Sequence, residues 1–242
     1  MSLLTIIQRA AVACGLPSPT SVVGNTDPNI QQMLGMAQDE GDESSGYANW
    51  RNLKINFNFT GDGSTTLFAL PSDFERWPAN PAFFAASYPL APLVGPISDE
   101  ALLALKAIPA VIWPPVWNMI GGQLQVWPAL DAGDVVSGQY RSNFWILSGV
   151  DNATHLPLWA TDADKALIPE TIIRMGVIWR WKRAKGLDFG TFQDDWSNMR
   201  DRLAGDDRGM RITRTSNAMV GPSTYPGSIS DNSDAGTSGQ FA

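Results

Sequence analysis

RMGVIWRWKRAKGLDFG, residues 174–190, places two tryptophans, a run of aliphatic side chains and five basic ones within about five helical turns. Helical period begins at Pro169, at a favoured first-turn position, and stops at Gly186. Ile172, Met175, Gly176 and Trp179 fall on one side of this helix, and Ile173, Val177 and Ala184 on a second. Ile178 and Trp181 share the third with Arg174 and Lys185. A helix inside one small domain needs a single buried stripe, so one that is apolar on three sides is either central or meets another chain. The basic residues gather toward its C-terminal end, where they complement the helix dipole. A membrane-surface helix would set one apolar face against one cationic face, whereas these tryptophans lie on different faces. Direct nucleic-acid reading calls for a basic patch in a recognisable motif, and none is present, which leaves weak phosphate contact. Packing against the N-terminal helices and a neighbouring subunit accounts for both the tryptophans and the scarcity of charge, so the expectation is assembly.

Composition fits two readings equally, apolar surface that meets a partner or a tryptophan-rich core. The 242 residues are 44% hydrophobic and only 17% charged, with ten tryptophans, so the chain can bury a proper core without covalent staples. The formal net charge is −7, yet ten of the 17 Lys and Arg fall between Arg174 and Arg214, giving an acidic body with a basic C-terminal region. No stretch approaches the roughly 18 apolar residues of a membrane span. The amphipathic N-terminus lacks the basic region of a signal peptide, so a reducing cytoplasm is the expected place of synthesis.

Outward from the decisive helix, Leu3, Ile6, Ile7, Ala10 and Ala11 share a helical face, closed by Gly15 and Pro17. Asp27 and Pro28 open a second helix running to about Trp50. The period then changes to two. LKINFNFTGDGSTTLFAL, residues 53–70, reads as a hairpin about its Gly-Asp-Gly turn, and VWNMIGGQLQVWP, residues 116–128, as another. A further strand over 134–146 puts Val136, Gly138, Tyr140 and Ser142 on one face, and Ser98 caps a short helix with Leu102, Leu103 and Leu105. A last helix carries Phe192, Trp196, Met199 and Leu203 as an apolar stripe, with Thr191 and Asp194 as a capping box and Phe189 as a staple. Beyond about Arg214 the Ser-, Gly-, Asn- and Asp-rich sequence cannot bury a core and reads as a disordered or partner-ordered tail. The expected fold is α+β: N- and C-terminal helices forming a bundle (1–52 and 161–212), an inserted antiparallel β-rich domain (53–160), and an extended tail (213–242).

Catalytic chemistry finds little support. One cysteine, Cys14, and one histidine, His155, exclude disulfides, cysteine cages and His-pair zinc sites. GDGSTT, residues 61–66, joins two strands and lacks a lysine, so it is a turn and not a phosphate loop. Asp39, Glu40, Asp42 and Glu43, like Asp194 and Asp195, read as solvated helix faces. Asp151, Asp162 and Asp164 match no cation-binding spacing, and Cys14 has no basic neighbour to activate it. No cofactor, metal or catalytic residue is assigned, and the chain is not expected to be an enzyme.

Three segments then carry a family likeness: ALPSDFERW (69–77), GGQLQVWPALDAGDVVSGQYRSN (121–143) and LIPETIIRMGVIWRWKRAKGLDF (167–189). Their order over residues 1 to about 212 resembles the head-to-tail adaptor, or tail-tubular-A-like connector, proteins of tailed bacteriophages. The resemblance implies a dodecameric ring beneath the portal protein that extends the channel for packaged DNA and docks tail-tube or nozzle proteins. The location it implies is the head–tail neck of the virion, with no membrane. It makes Ile172, Met175, Trp179, Trp181, Phe192, Trp196, Met199 and Leu203 the helical, ring-building positions. Arg180, Lys182, Arg183, Lys185, Arg211 and Arg214 become candidate DNA-channel or portal contacts, and the tail with Thr213, Tyr225 and Phe241 a portal-docking arm. The alternative is a neck-associated cell-wall hydrolase using a carboxylate pair such as Glu40 and Asp42.

Overall fold

Local capping starts the helices where the residues call for it. In the computed structural model, which describes residues 1–87, 91–108 and 114–207, the Ser2 hydroxyl accepts from the Thr5 amide and opens helix α1 (Leu3–Ala13). The Asp27 carboxylate accepts from the Asn29 amide at 2.8 Å, and Pro28 takes the first position of α2 (Pro28–Tyr47). Ser98 caps α3 (Asp99–Ala107) through the Ala101 amide. Helix α4 (Glu170–Ala184) follows Pro169, and α5 (Gly190–Asp207) closes the described region. The capping box expected at Thr191 and Asp194 is not used. Asp188 accepts from the Gly190 amide at 3.3 Å, so the helix begins earlier and Thr191 lies inside it.

Helix α4 lies at the centre. It packs against α1, α2 and α5, and it buries Ile172, Ile173, Val177, Ile178, Trp179 and Trp181. Its apolar sides are therefore satisfied within this chain by three neighbouring helices. The same core takes in Trp50, Trp145, Ile146, Trp159 and Trp196.

Among the described residues, ten short strands form three antiparallel sheets. In the first, β1 (Lys54–Thr60) pairs with β7 (Val135–Ser142), whose other edge takes β3 (Phe74–Arg76) and β4 (Phe84–Ala85). In the second, β2 (Leu67–Ala69) pairs with β6 (Gln123–Trp127), which pairs with β5 (Val116–Ile120). In the third, β8 (Ile146–Leu147) lies between β9 (His155–Leu156) and β10 (Lys165–Ala166). The β5–β6 hairpin forms as its sequence predicts, because Gly121 and Gly122 supply the two positive-φ positions of the turn (56° and 75°).

The expected α+β arrangement, a helical bundle with one inserted antiparallel β-rich domain and an extended tail, is corrected by this topology. The chain is mixed α/β, with five α-helices and three small antiparallel sheets among the described residues, and helices at both ends of that region. The strands do not make one body. Sheet β8–β9–β10 contributes Ile146 to the helical core, while the other two sheets share a separate aromatic core of Phe57, Phe59, Phe68, Phe83, Trp117 and Tyr140. The hairpin expected over 53–70 is corrected too: β1 pairs with β7 and β2 with β6, so the Gly-Asp-Gly segment passes the chain from one sheet to another. The Gly61 amide bonds to Asp134 O at 2.8 Å and Gly133 N to Gly61 O at 2.9 Å, which fastens this crossing to the turn before β7. Residues 213–242, with Thr213, Tyr225 and Phe241, lie outside the described residues, as do Arg211 and Arg214.

Arg141 joins the two cores. Only 2% exposed, it pairs with Glu75 at 3.1 Å and donates to Ser45 O at the end of α2. Trp145 anchors the helical side: its indole donates to Asp42 at 2.7 Å and meets Trp159 edge-on, while its ring packs closely on Gly41. A Cβ at Gly41 would fall 1.9 Å from that ring, whereas one at Gly35, on the exposed side of the same helix, meets nothing within 4 Å. Gly41→Ala is therefore expected to lower the unfolding free energy by about 1–3 kcal/mol through overpacking. Gly35→Ala should raise it by roughly 0.5–1 kcal/mol, since Ala is the better helix former. Urea unfolding of the two variants checks the opposite signs.

Candidate functional site

The densest polar constellation lies where α2, α4 and α5 meet. Helical spacing in α2 aligns Met33, Ala37, Glu40 and Ser44 on the buried face, so Glu40 enters the core as part of that stripe. Its carboxyl group is 0% exposed and accepts from Ser44 Oγ at 2.6 Å, Trp196 Nε1 at 2.9 Å and Arg180 Nε at 3.0 Å. Gly176 makes the room: a Cβ there would lie 2.3 Å from the Glu40 carboxyl carbon. The network continues outward through Glu43, which receives Arg180 at 2.6 Å and Arg200 at 3.2 Å. The Arg200 guanidinium lies between the rings of Tyr47 (3.9 Å) and Trp196 (4.1 Å), and Tyr47 donates to Asp201.

Burial is the largest influence on Glu40 and pushes its carboxyl above the ordinary range; Ser44, Arg180 and Trp196 pull it back only in part. Burial acts to lower Arg180, but Glu40 and Glu43 outweigh it and hold the guanidinium above its ordinary value. Glu40 thus departs from the solvated helix face expected for it. Asp42, the other half of the suggested acid–base pair, accepts from the Trp145 indole and from Gln38. Continuity of the α2 stripe from Ala37 to Ser44 was the sequence signal for Glu40's burial.

The expected ring-building positions divide by environment. Ile172, Trp179, Trp181 and Trp196 are buried in the chain's own core, and Met175 and Leu203 pack partly against it. Met199 is half-buried, and Phe192 is 39% exposed with the Lys182 ammonium 4.1 Å over its ring. Among the expected cationic contacts, Arg180 is committed to Glu40 and Glu43. Arg183 and Lys185 are exposed, close to the Trp179 and Trp181 rings respectively. The structure therefore sets Lys182 against Phe192 at the elbow between α4 and α5, where Leu187 is also exposed.

Four further aspartates, Asp62, Asp151, Asp162 and Asp164, serve the backbone. Asp164, 0% exposed, accepts from Gly149 N, Ala160 N, Thr161 N and Thr161 Oγ1; burial opposes its charge, but these bonds outweigh it and hold its pKa below the ordinary value. Asp162 accepts from Val22 N and Val23 N, and the carbonyls of Asp164 and Asp162 receive the Leu3 and Leu4 amides that begin α1. Asp62 and Asp151, both exposed, are held well below the usual range first by the hydroxyls of Thr65 and Thr154. Among the described residues no group of three His, Cys, Asp or Glu is arranged to hold a metal ion. Cys14 is half-buried at the end of α1, and burial raises its thiol against a weaker opposing pull from Lys182. His155 lies half-buried on β9.

Two of the segments singled out by resemblance meet in space. Tyr140 donates to Asp73 at 2.7 Å and stacks on Phe74, so Asp-Phe of LPSDF closes on the tyrosine of β7. Burial, then Asp73, raises the Tyr140 phenol beyond its ordinary value. Comparison with known protein families and with curated proteins returns no match. No helix among the described residues is long and apolar enough to cross a membrane.

Removing Arg180 tests the junction. Arg180→Met leaves the Glu40 carboxylate enclosed without its counter-charge, and a loss of about 3–5 kcal/mol is expected at neutral pH. Glu40's folded pKa is raised, so the folded state binds the proton more tightly than the unfolded chain does. Without Arg180, which pulls the Glu40 pKa down, that pKa rises further, so the deficit is full above the variant's value and shrinks as pH falls from there to the parent's own raised value. Adding Glu40→Gln to Arg180→Met should restore part of the stability. Urea unfolding across this pH range measures both effects, and a deficit that does not change with pH would contradict an ionised Glu40.

Proposed function

We propose that this chain is a non-catalytic head-to-tail adaptor of a tailed bacteriophage: a subunit of a ring under the portal that extends the DNA channel and receives the tail. The observation that carries the proposal is the α4–α5 elbow. Leu187 (47%) and Phe192 (39%) are exposed there, with Lys182 over the Phe192 ring and Arg183 and Lys185 exposed at the end of α4. Apolar and cationic groups interleaved at a tip suit a partly acidic protein surface, or phosphates lining a channel, better than bulk water. The resemblance carried by residues 69–77, 121–143 and 167–189 supplies the identity of that partner, the portal. Support also comes from Glu40 and Asp42, whose carboxylates are engaged by Arg180, Trp196, Ser44 and Trp145. A ring needs heterologous lateral faces that close by rotation, and twelve copies are the expected number from the resemblance.

The test mixes full-length protein with its cognate portal ring and images the mixture by cryo-electron microscopy. A chain ending at Arg214 and a full-length Leu187→Asp, Phe192→Asp variant run beside it. A closed ring docked on the portal is expected for the full chain, with docking lost in the elbow variant although its circular dichroism is unchanged. Loss of docking on truncation would identify residues 215–242 as the anchor. A protein that stays monomeric and unattached with both portal and tail components present would overturn the proposal.

A further inference from the structure

The outward face of the first sheet carries a groove of about 490 Å³ whose chemistry differs from the elbow's. Cross-strand pairing sets its floor. Asn58 faces Ser137, which faces Phe84 on the other side, and the adjacent row pairs Asn56 with Gln139. Directly opposed residues share a face, so these side chains project together, away from the core that takes Phe57, Phe59, Phe83 and Val136. Asn80 adds a further amide at the rim. Gln139 Nε2 donates to Asn56 Oδ1 at 3.3 Å, which orients the two amides across the strands and leaves their remaining donors and acceptors facing the groove. Phe84 is 45% exposed although its neighbours Phe83 and Ala85 are buried.

Among the described residues, none that lines the groove is Asp, Glu, Lys, Arg or His. A phosphate, a carboxylate or an amine would find no counter-charge there, and desolvating it would be unfavourable. Carboxamides and a serine hydroxyl each offer donors and acceptors, the complement of a ligand whose own groups do both. A half-exposed phenyl ring beside them presents an apolar platform to a ligand with one C–H face. The volume lies within the roughly 300–1,000 Å³ range of small-molecule clefts. We propose that this groove binds a neutral saccharide, with ring hydroxyls on Asn56, Asn58, Ser137 and Gln139 and one sugar face on Phe84. The proposal is independent of the adaptor reading, since it concerns a different core and no elbow residue.

Saturation-transfer NMR and calorimetry with full-length protein would use three neutral hexasaccharides: α-1,4-glucose, β-1,4-glucose and β-1,4-N-acetylglucosamine. Binding of at least one is expected, weakened at least tenfold by Phe84→Ala and by Asn58→Ala, and insensitive to salt. Both substitutions fall on the exposed face, and their far-ultraviolet circular dichroism should match the parent. Lys106→Ala, on α3 and outside the groove, should leave binding unchanged. No binding of any of the three, or binding that survives both groove variants, would overturn the proposal. So would a Phe84-dependent self-association in sedimentation without saccharide binding, which would make the face a contact between copies of the chain.

Discussion

A single carboxylate inside the helical core sets the relative positions of three helices. Glu40 cannot be enclosed without partners, because an isolated buried charge is far more costly than any one packing contact gains. Its three partners come from α2 itself (Ser44), from α4 (Arg180) and from α5 (Trp196). Each is met only if the helices sit at one spacing and one rotation. Gly176 is the geometric counterpart: where α4 passes Glu40 there is no room for a side chain. An apolar core would tolerate sliding of one helix over another, whereas this arrangement penalises it.

The sheets depend on that frame through a second enclosed charge. Arg141 belongs to β7 but reaches Ser45 O at the end of α2, while Glu75 of β3 balances it. Because β7 also holds β1, β3 and β4, one guanidinium relates the helical core to the larger sheet. The Asp73–Tyr140 bond and the Phe74–Tyr140 stack then pin the LPSDF segment to the same strand. Position thus passes from Glu40 to the end of α2, to β7 and on to the groove-lining residues Ser137 and Gln139.

Features with local causes were legible in the sequence. Ser2, Asp27 and Ser98 cap helices where side-chain oxygens precede an apolar period, and the Gly121–Gly122 turn and the buried face Val136, Gly138, Tyr140, Ser142 follow from short-range rules. Pairing partners were not. The alternation Ile55, Phe57, Phe59 announces a strand but says nothing about which strand it joins: β1 pairs with β7 and β2 with β6, although all four contribute to one aromatic core. Burial of charge was hidden for a related reason: Glu40 and Arg141 enter the interior only because distant residues neutralise them. The three apolar sides of α4 were read as calling for the N-terminal helices and a neighbouring subunit, whereas α1, α2 and α5 of the same chain cover them.

That division bears on how the elbow can work. Since α1, α2 and α5 already cover α4, a partner of the kind proposed would meet the helices at their ends and edges and not through the tryptophan core. The direction in which Leu187 and Phe192 point is therefore fixed by the angle between α4 and α5. Trp196 holds that angle through Glu40 and through its packing on Trp179 at 5.5 Å, Arg200 through Glu43, and Phe192 itself through the Lys182 ammonium. Replacing a buried ion pair by apolar groups of equal volume is often neutral for stability, whereas separating its partners is strongly unfavourable, so a helix shift that parts Glu40 from Arg180 is penalised. A subunit that must present the same tip at the same angle in every copy of a closed ring benefits from that penalty more than from extra stability. The enclosed carboxylate and the exposed elbow are in this sense parts of one device: the first restricts the helices to one arrangement, and the second is the surface which that arrangement orients.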